Sequence, residues 1–300
     1  MMKITRDYVH GIMRKEQEPV AVCDSGDIVI FETRDCYNDT IIPGPKQPKE
    51  GDPHYDNPAT GPLFVKGAMP GDQLKVEILN IELAPQAVMR TSPTAGAFPQ
   101  YFTERYFRIF DIVDGKYVQF DETLQLKLDP MIGVIGTAPA EAGIDTGTPG
   151  PHGGNMDCKL ITAGSVLYLP VAVEGALLAL GDLHARMGDG EVAICGLEIG
   201  GSVTVRVTVV KDCSLPTPFL VNANHAAAIW SEKTLEDASK GATMAMHSFL
   251  TGELGLTAHE AGMLLSIAGD LRICQVVDPL MTCRMELPRS ITEDCGYTFP

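Results

Sequence analysis

Gly200-Gly201-Ser202-Val203-Thr204-Val205-Arg206-Val207-Thr208-Val209 is the stretch that decides the fold class. Valines 203, 205, 207 and 209 fall on one face of an extended chain, and Thr204, Arg206 and Thr208 fall on the other. A period of two is what a strand with one buried face requires. The pattern recurs upstream. Ser25-Gly26-Asp27 leads into Ile28-Val29-Ile30-Phe31-Glu32, Pro70-Gly71-Asp72 into Gln73-Leu74-Lys75-Val76-Glu77-Ile78, and Ala163-Gly164-Ser165 into Val166-Leu167-Tyr168-Leu169. Each is a glycine turn delivering the chain into an extended run. Turn–strand units of this kind point to an antiparallel sandwich or barrel, and their uneven spacing argues against a solenoid.

The last third of the chain reads differently. Ser231 to Leu250 has helical spacing, with Ser231 as the cap and Gly252 past its end. Thr257 to Ile267 predicts a second helix, with Thr257 and Glu260 forming a capping box. Ile273 to Val277 predicts a short strand, and Met244 and Met246 are expected in the core. Residues 1–215 are therefore expected to form a β-rich catalytic portion. Residues 216–300 are expected to form an α+β portion packed on it, in one compact unit. Two stretches lack periodicity: Ile42 to Pro62, and Thr137 to Gly154. Long loops in compact proteins often carry function.

Composition narrows the class of partner. The 300 residues carry a net charge of −16, a surface that repels phosphate backbones and anionic lipid. Neither nucleic-acid nor membrane binding is expected, whereas a neutral substrate or a divalent cation suits such a charge. No run of about 18 apolar residues predicts a membrane span, and the N-terminus lacks the apolar core of a signal peptide. The eight cysteines are scattered without a Cys-x-x-Cys pair, as expected of reduced thiols in a cytoplasm. Cys36 and Cys158 lie beside acidic residues, which disfavour a thiolate and argue against a cysteine nucleophile. No Gly-x-Ser-x-Gly elbow and no phosphate-binding glycine loop is present.

Chemistry concentrates in two runs. Pro149-Gly150-Pro151-His152-Gly153-Gly154-Asn155-Met156-Asp157 offers an imidazole, an amide and a carboxylate beside two glycines. Gly181-Asp182-Leu183-His184-Ala185-Arg186-Met187-Gly188-Asp189-Gly190-Glu191 adds a second imidazole and three more carboxylates. Apolar strands are expected over Val166–Val171, Ala176–Leu180 and Val192–Leu197, which would make the two runs loops at strand ends on one rim. Histidine with carboxylates is the ligand set of a catalytic zinc that keeps one position for water. A further carboxylate can move the proton from that water to the departing amine. Spacing alone leaves open the alternative of turn-stabilising Asp and Gly residues, and Asp35, after the Ile28–Thr33 strand, has the same alternative.

At these residues the chain resembles the acetamidase/formamidase family. The resemblance rests on Gly-Pro-His-Gly-Gly-Asn-Met-Asp from Gly150, Leu-Tyr-Leu-Pro-Val from Leu167, Gly-Asp-Leu-His from Gly181 and Gly-Asp-Gly-Glu from Gly188. Asn57-Pro58-Ala59-Thr60-Gly61-Pro62, Gly133-Val134-Ile135-Gly136 and Ala138-Pro139-Ala140-Glu141 continue it in collinear order. The resemblance implies a CUB-like β-sandwich, homo-oligomers, bound zinc with calcium as a second ion, and hydrolysis of the C–N bond of small neutral amides. It implies Asp35, His152, Asp157 and His184 as metal-site residues, with Asn155 and Glu191 in the same site. Glu191 or Glu141 is expected as the proton shuttle, and Gly153 and Gly154 as backbone donors to the reacting carbonyl. Ala185-Arg186-Met187 after His184 departs from the family's usual Gln or Ser, which bears on the substrate. A cyclic imide or lactam hydrolase, and a non-catalytic metal- or sugar-binding sandwich, are the competing readings.

Overall fold

The structure, a computed structural model, describes residues 2–42 and 56–300. Strands dominate it, and they form two large sheets. The nine-stranded sheet runs in the order Met2–Ile4, Ile28–Thr33, Gly201–Val210, Gln73–Leu83, Val166–Pro170, Phe219–Val221, His225–Glu232, Met281–Pro288 and Asp270–Gln275. Every neighbouring pair is antiparallel except the first. The second sheet runs Gln125–Lys127, Tyr117–Gln119, Tyr106–Val113, Gln86–Thr91, Glu198–Ile199, Leu178–His184, Met131–Gly136 and Gly153–Asn155. Ala59–Val65 also pairs along Leu178–His184 and brings Val9–His10 and Ala21–Cys23 with it.

The alternation that marks Gly201–Val210 is realised in packing. Val203, Val205 and Val207 are buried, while Thr204, Arg206 and Thr208 are half-buried on the other face. They join Phe31, Leu74, Val76 and Ile78 of their own sheet, and Leu63, Ile132, Ile135, Leu180 and Leu183 of the second, in one continuous core. Burying each such side chain contributes about 1.5–3 kcal/mol. A second core lies under the helices. Ala238, Ala242, Met246, Phe249 and Leu250 of the Leu235–Gly252 helix pack on Phe219, Val221, Ala226, Cys283 and Met285. The mainly-β class and the C-terminal α+β portion expected from the sequence are what the structure shows. The nine-stranded sheet is continuous from residues 166–170 into residues 219–232.

Several boundaries differ from expectation. Ser231 does not cap a helix; it pairs with Thr282 in the sheet, and the helix starts only after that ladder ends, capped by Thr234. The Thr257–Glu260 capping box is formed as expected, opening the Ala258–Ala268 helix. Met246 is core but Met244 is exposed. The strand expected over Val192–Leu197 is absent. Hydrogen bonds from Glu191 N–H to Gly188 C=O and from Ile194 N–H to Glu191 C=O coil that segment, leaving only Glu198–Ile199 in the sheet. Of the aperiodic Ile42–Pro62 stretch, residues 43–55 lie outside the described residues. Its end is not a loop, because Ala59–Val65 is a strand.

Candidate functional site

The two chemical runs meet in the second sheet, within its strands more than at their ends. Asp182 and His184 are two apart on Leu178–His184, so they project to one side. Register then places Glu198 directly opposite His184. Across the other edge, Met131–Gly136 carries Gly153–Asn155, and the chain beyond it turns so that Asp157 comes back to the same point.

The result is one imidazole ringed by acids. His184 Nε2 lies 3.1 Å from Glu198 Oε1, 3.7 Å from Asp182 Oδ1, 3.8 Å from Asp157 Oδ1 and 3.9 Å from Glu191 Oε1. All five side chains are buried. Asp157, Asp182 and Glu191 also hold positive φ angles of 44°, 54° and 47°. Such backbone is costly outside glycine and clusters at functional sites. Two glycines make room. A Cβ on Gly133 would stand 2.5 Å from Asp157 Oδ1 and 2.6 Å from Asp182 Oδ2, and one on Gly196 would stand 2.5 Å from His184 Nδ1.

Electrostatics follow from this crowding. Burial pushes Asp157 up to about 6 and Glu198 up to about 8; Asp182 adds to both shifts and His184 opposes them. Burial and Asp157 hold Glu191 well above the carboxylate range. Burial would lower His184, but Glu198 and Asp182 outweigh it and hold it well above its ordinary value. One imidazolium cannot balance four carboxylates. Asp157 Oδ1 and Oδ2, Asp182 Oδ1, Glu191 Oε2 and Glu198 Oε2 are buried with no hydrogen-bond donor. Buried acceptors without donors are expensive, and buried charges are normally paired or metal-bound. The donors fall into two adjacent groups, Asp157–His184–Glu191 and Cys36–Asp182–Glu198, each with ligand atoms within 4.8 Å of one another. The residues present thus fit a divalent cation.

A cleft of about 230 Å³ opens on this cluster. Glu191, Asp182, Glu198 and Cys36 reach its wall, with Asn155, Asn57, Tyr37, Arg90 and Asp278; Asp157 and His184 are not on that wall. Asp278 comes from the C-terminal portion and accepts a hydrogen bond of 2.9 Å from Asn155 Nδ2. Burial and the charge of Asp157 hold its carboxyl well above the usual range.

The remaining expected residues are placed as follows. Asp35 is buried but outside both donor groups. Its Oδ1 accepts from the N–H groups of Tyr37 and Asp39 at 3.0 and 2.8 Å, so it shapes the turn that presents Cys36. His152 is buried with neither ring nitrogen hydrogen-bonded, and burial lowers it to about 4. Among the described residues no carboxylate lies within 4.0 Å of its nitrogens, and it is in neither donor group. Glu141 is exposed on a turn and is not on the cleft wall. The Gly153 N–H is not free for a reacting carbonyl, because it donates to Gly150 C=O. Gly153 and Gly154 also serve shape. Both have positive φ, and a Cβ would strike Ile135 O or Thr148 O at 2.3 and 2.4 Å.

Burial, then Glu198 and Asp182, keep the Cys36 thiol well above its usual range, as its acidic setting predicts. Cys158 behaves otherwise. Burial pushes it up, but the neighbouring Cys274 thiol and the Arg284 guanidinium outweigh burial and hold it below its usual value. All eight cysteines are free, and no described helix is long and apolar enough to cross a membrane.

Sequence reasoning missed Glu198, Asp278, Gly133 and Gly196 as site residues. Asp182–His184 spacing on a strand was a usable signal. Glu198 needs the strand register, and Asp278 stands 123 residues from Asn155, so no local signal reaches it.

Comparison with known proteins accords with this geometry. The sequence profile of the Acetamidase/Formamidase family matches residues 3–147 and 140–294. The chain belongs to the acetamidase/formamidase family. An acetamidase from Bacillus halodurans superposes with a TM-score of 0.93 at 47% identity, covering 99% of this chain and 100% of that one. An acetamidase from Yersinia enterocolitica gives a TM-score of 0.88 at 29% identity over 97% and 92% of the two chains. The acetamidase of Mycolicibacterium smegmatis is 30% identical over 215 residues, 51% of this chain and 53% of its own. The chain spans about half the length of the curated relatives it matches. Within this family member, the buried acid–imidazole cluster is the part of the fold that asks for chemistry.

Proposed function

We propose that this protein hydrolyses the C–N bond of small neutral amides such as acetamide or formamide, giving the carboxylate and ammonia with the help of a bound divalent metal. The observation that carries the reading is the ring of four carboxylates around His184 Nε2, three of which, Asp182, Glu191 and Glu198, reach the wall of a small cleft. Membership of a family whose relatives include acetamidases supports the substrate class.

Asp157 and His184 would hold the metal, with Glu191 of the same donor group beside it, and Cys36, Asp182 and Glu198 offer an adjacent place for a second ion. Imidazole, carboxylate and thiol donors together suit zinc better than calcium, which prefers oxygen alone. When bound, such an ion polarises a carbonyl and acidifies water. The chain's own residues do the rest. Glu191 belongs to the donor group yet has a buried, unpartnered Oε2 and reaches the cleft wall, so it is the group placed to accept the proton of the attacking water. Asp278, steadied by Asn155 Nδ2, is a further carboxyl on that wall and can pass a proton to the departing amine. Asp182 is steadied by Asn57 Nδ2 at 3.3 Å. The cleft's size suits a substrate of few heavy atoms and excludes a polymer.

The expected homo-oligomer belongs to the same reading. Ala226 and Ala228, with Ala242, Ala245, Met246, Phe249 and Leu250, help fill the second core, whereas Met244, Met263 and Ile267 stand exposed on the helices. Those three are the residues a partner subunit would cover. Cytoplasmic residence, with free thiols, completes the reading. Ammonia release from formamide, acetamide, propionamide and a set of cyclic imides and lactams tests the activity. Turnover of the linear amides is expected. Turnover of the cyclic substrates alone would move the assignment to imide or lactam hydrolysis, and none at all would leave a metal-binding sandwich.

A further inference from the structure

Six carboxylates line the cleft: Asp56, Asp145, Asp182, Glu191, Glu198 and Asp278. Arg90 is the single cation on its wall among the described residues. In such surroundings a guanidinium normally finds an acid, since bidentate pairing is its preferred contact. Arg90 does not. Among the described residues no carboxylate lies within 4.0 Å of it, and its Nε is buried without an acceptor.

Its position is built and does not depend on those acids. Arg90 N–H donates to Cys195 Sγ at 3.2 Å, and the Cys195 thiol donates to Arg90 C=O at 3.4 Å. The guanidinium lies 5.4 Å from the centroid of the Tyr37 ring, and Tyr37 is itself fixed edge-on against Phe107 at 5.4 Å. Tyr37 is buried and also lines the cleft, and its hydroxyl makes no hydrogen bond of good geometry. The two residues of this stacked pair therefore line a cavity whose other walls are mostly acceptors, and each keeps a buried donor atom with no partner of good geometry. An acceptor brought from outside is what satisfies them.

We propose that Arg90 and Tyr37 form an oxygen-anion subsite of the cleft, which receives the acyl oxygen of the substrate and retains the carboxylate product. The proposal rests on the amidase reading for its ligand. In that reaction water adds its oxygen to the acyl carbon, the C–N bond breaks, and the two protons shed by water end on the amine and in solution. Negative charge that develops on the acyl oxygen is shared by the two carboxylate oxygens at the end. Arg90 supplies a planar charged donor and Tyr37 a neutral one, a pair suited to both stages. Both act by touching the substrate, in a region to which the acids of the cluster can offer no donor unless protonated.

The experiment is product inhibition of the metal-loaded enzyme. Acetate is titrated against acetamide hydrolysis for wild type, Arg90→Met, Arg90→Lys and Tyr37→Phe, with metal content and melting temperature measured on each. Loss of a charged hydrogen bond predicts that Arg90→Met raises the acetate inhibition constant and the acetamide KM at least about tenfold. Arg90→Lys should recover part of that loss, and Tyr37→Phe should show a smaller rise, all with wild-type metal content. An unchanged acetate inhibition constant in active Arg90→Met and Tyr37→Phe would overturn the subsite and place acetate elsewhere in the cleft. If Arg90→Met fails to fold, Arg90→Lys and Tyr37→Phe read the same constant. If wild type hydrolyses no amide, the amidase reading fails by itself, and calorimetric titration with acetate decides the subsite. Binding that Arg90→Met or Tyr37→Phe weakens supports it; equal binding or none overturns it.

Discussion

Gly133→Ala is the sharpest perturbation of the site that leaves the fold standing. Gly133 lies in the Met131–Gly136 strand without the positive φ that would penalise alanine. The new Cβ would meet Asp157 Oδ1 at 2.5 Å and Asp182 Oδ2 at 2.6 Å, where ordinary contact begins at 3.4 Å. Each carboxylate must therefore retreat by the difference, about 0.9 and 0.8 Å, and the strand must also shift away from the Asp182 carbonyl oxygen, which the Cβ would meet at 2.9 Å. Overpacking of this kind costs about 1–3 kcal/mol, partly offset by the roughly 0.5–1 kcal/mol gained on replacing glycine in a strand. A net loss of about 1 kcal/mol lowers the melting temperature by roughly 2 °C in a chain of this size. The site suffers far more, because a displacement of about 1 Å in a reacting geometry costs about a hundredfold in rate. The assay is ammonia release from acetamide together with bound metal after purification, with a thermal melt as the control for folding. Purified Gly133→Ala that folds, binds a full complement of metal and turns over at the wild-type rate would refute the placing of Asp157 and Asp182 in two adjacent ion sites.

Glu191→Gln keeps size and hydrogen bonding but removes basicity, so turnover should fall at least about a hundredfold while metal stays bound. Loss of metal would make Glu191 chiefly a ligand, and normal turnover would leave it a turn residue. Arg284 is buried and grips Asp189 through two hydrogen bonds of 2.8 and 2.9 Å, with Glu286 at 2.6 Å. Asp189 stands two residues before Glu191, so Arg284→Met should cost about 3–5 kcal/mol in denaturant unfolding and displace the turn that carries Glu191. An effect below about 1 kcal/mol would mean the pairing does not hold the turn. His10 is buried, and burial lowers its pKa to about 4 from 6.5. The unfolded chain binds its proton first, so stability from this group is present above pH 6.5 and is lost as pH falls through 6.5 towards 4. The shift is worth about 3 kcal/mol, and the pH dependence of unfolding for wild type against His10→Gln should differ by that amount across this window.

The strands that alternate and follow glycine turns are legible without coordinates: Ile28–Thr33, Gln73–Leu83 and Gly201–Val210 bury every second residue or nearly so. Met281–Pro288 alternates too, with Met281, Cys283, Met285 and Leu287 against Thr282, Arg284 and Glu286. It escapes notice because Arg284 and Glu286 pair with each other in a buried strand. The segment after Glu191 misleads in the opposite direction. Its apolar residues suggest a strand, but positive φ at Glu191 and Ile194 coils it. For the site, Asp157, His184 and Glu191 are visible as a cluster of ligand types within 35 positions of sequence, and the fold brings them to one point. His152 belongs to the same motif, yet its ring turns back against Gly150 and Gly154, where the backbone holds it clear of the acids. Glu198 and Asp278 enter through strand register and through the C-terminal portion, and both are tertiary facts with no local imprint.

Under the proposed function, the acids around His184 hold the ion on which amide hydrolysis depends. The most direct test is ammonia release from acetamide by chelator-stripped protein as zinc is added back, with bound metal quantified at every point. Turnover should be absent in the stripped protein, rise in proportion to bound metal, and level off when the Asp157–His184–Glu191 group is filled. Full turnover by protein free of bound metal would contradict the account.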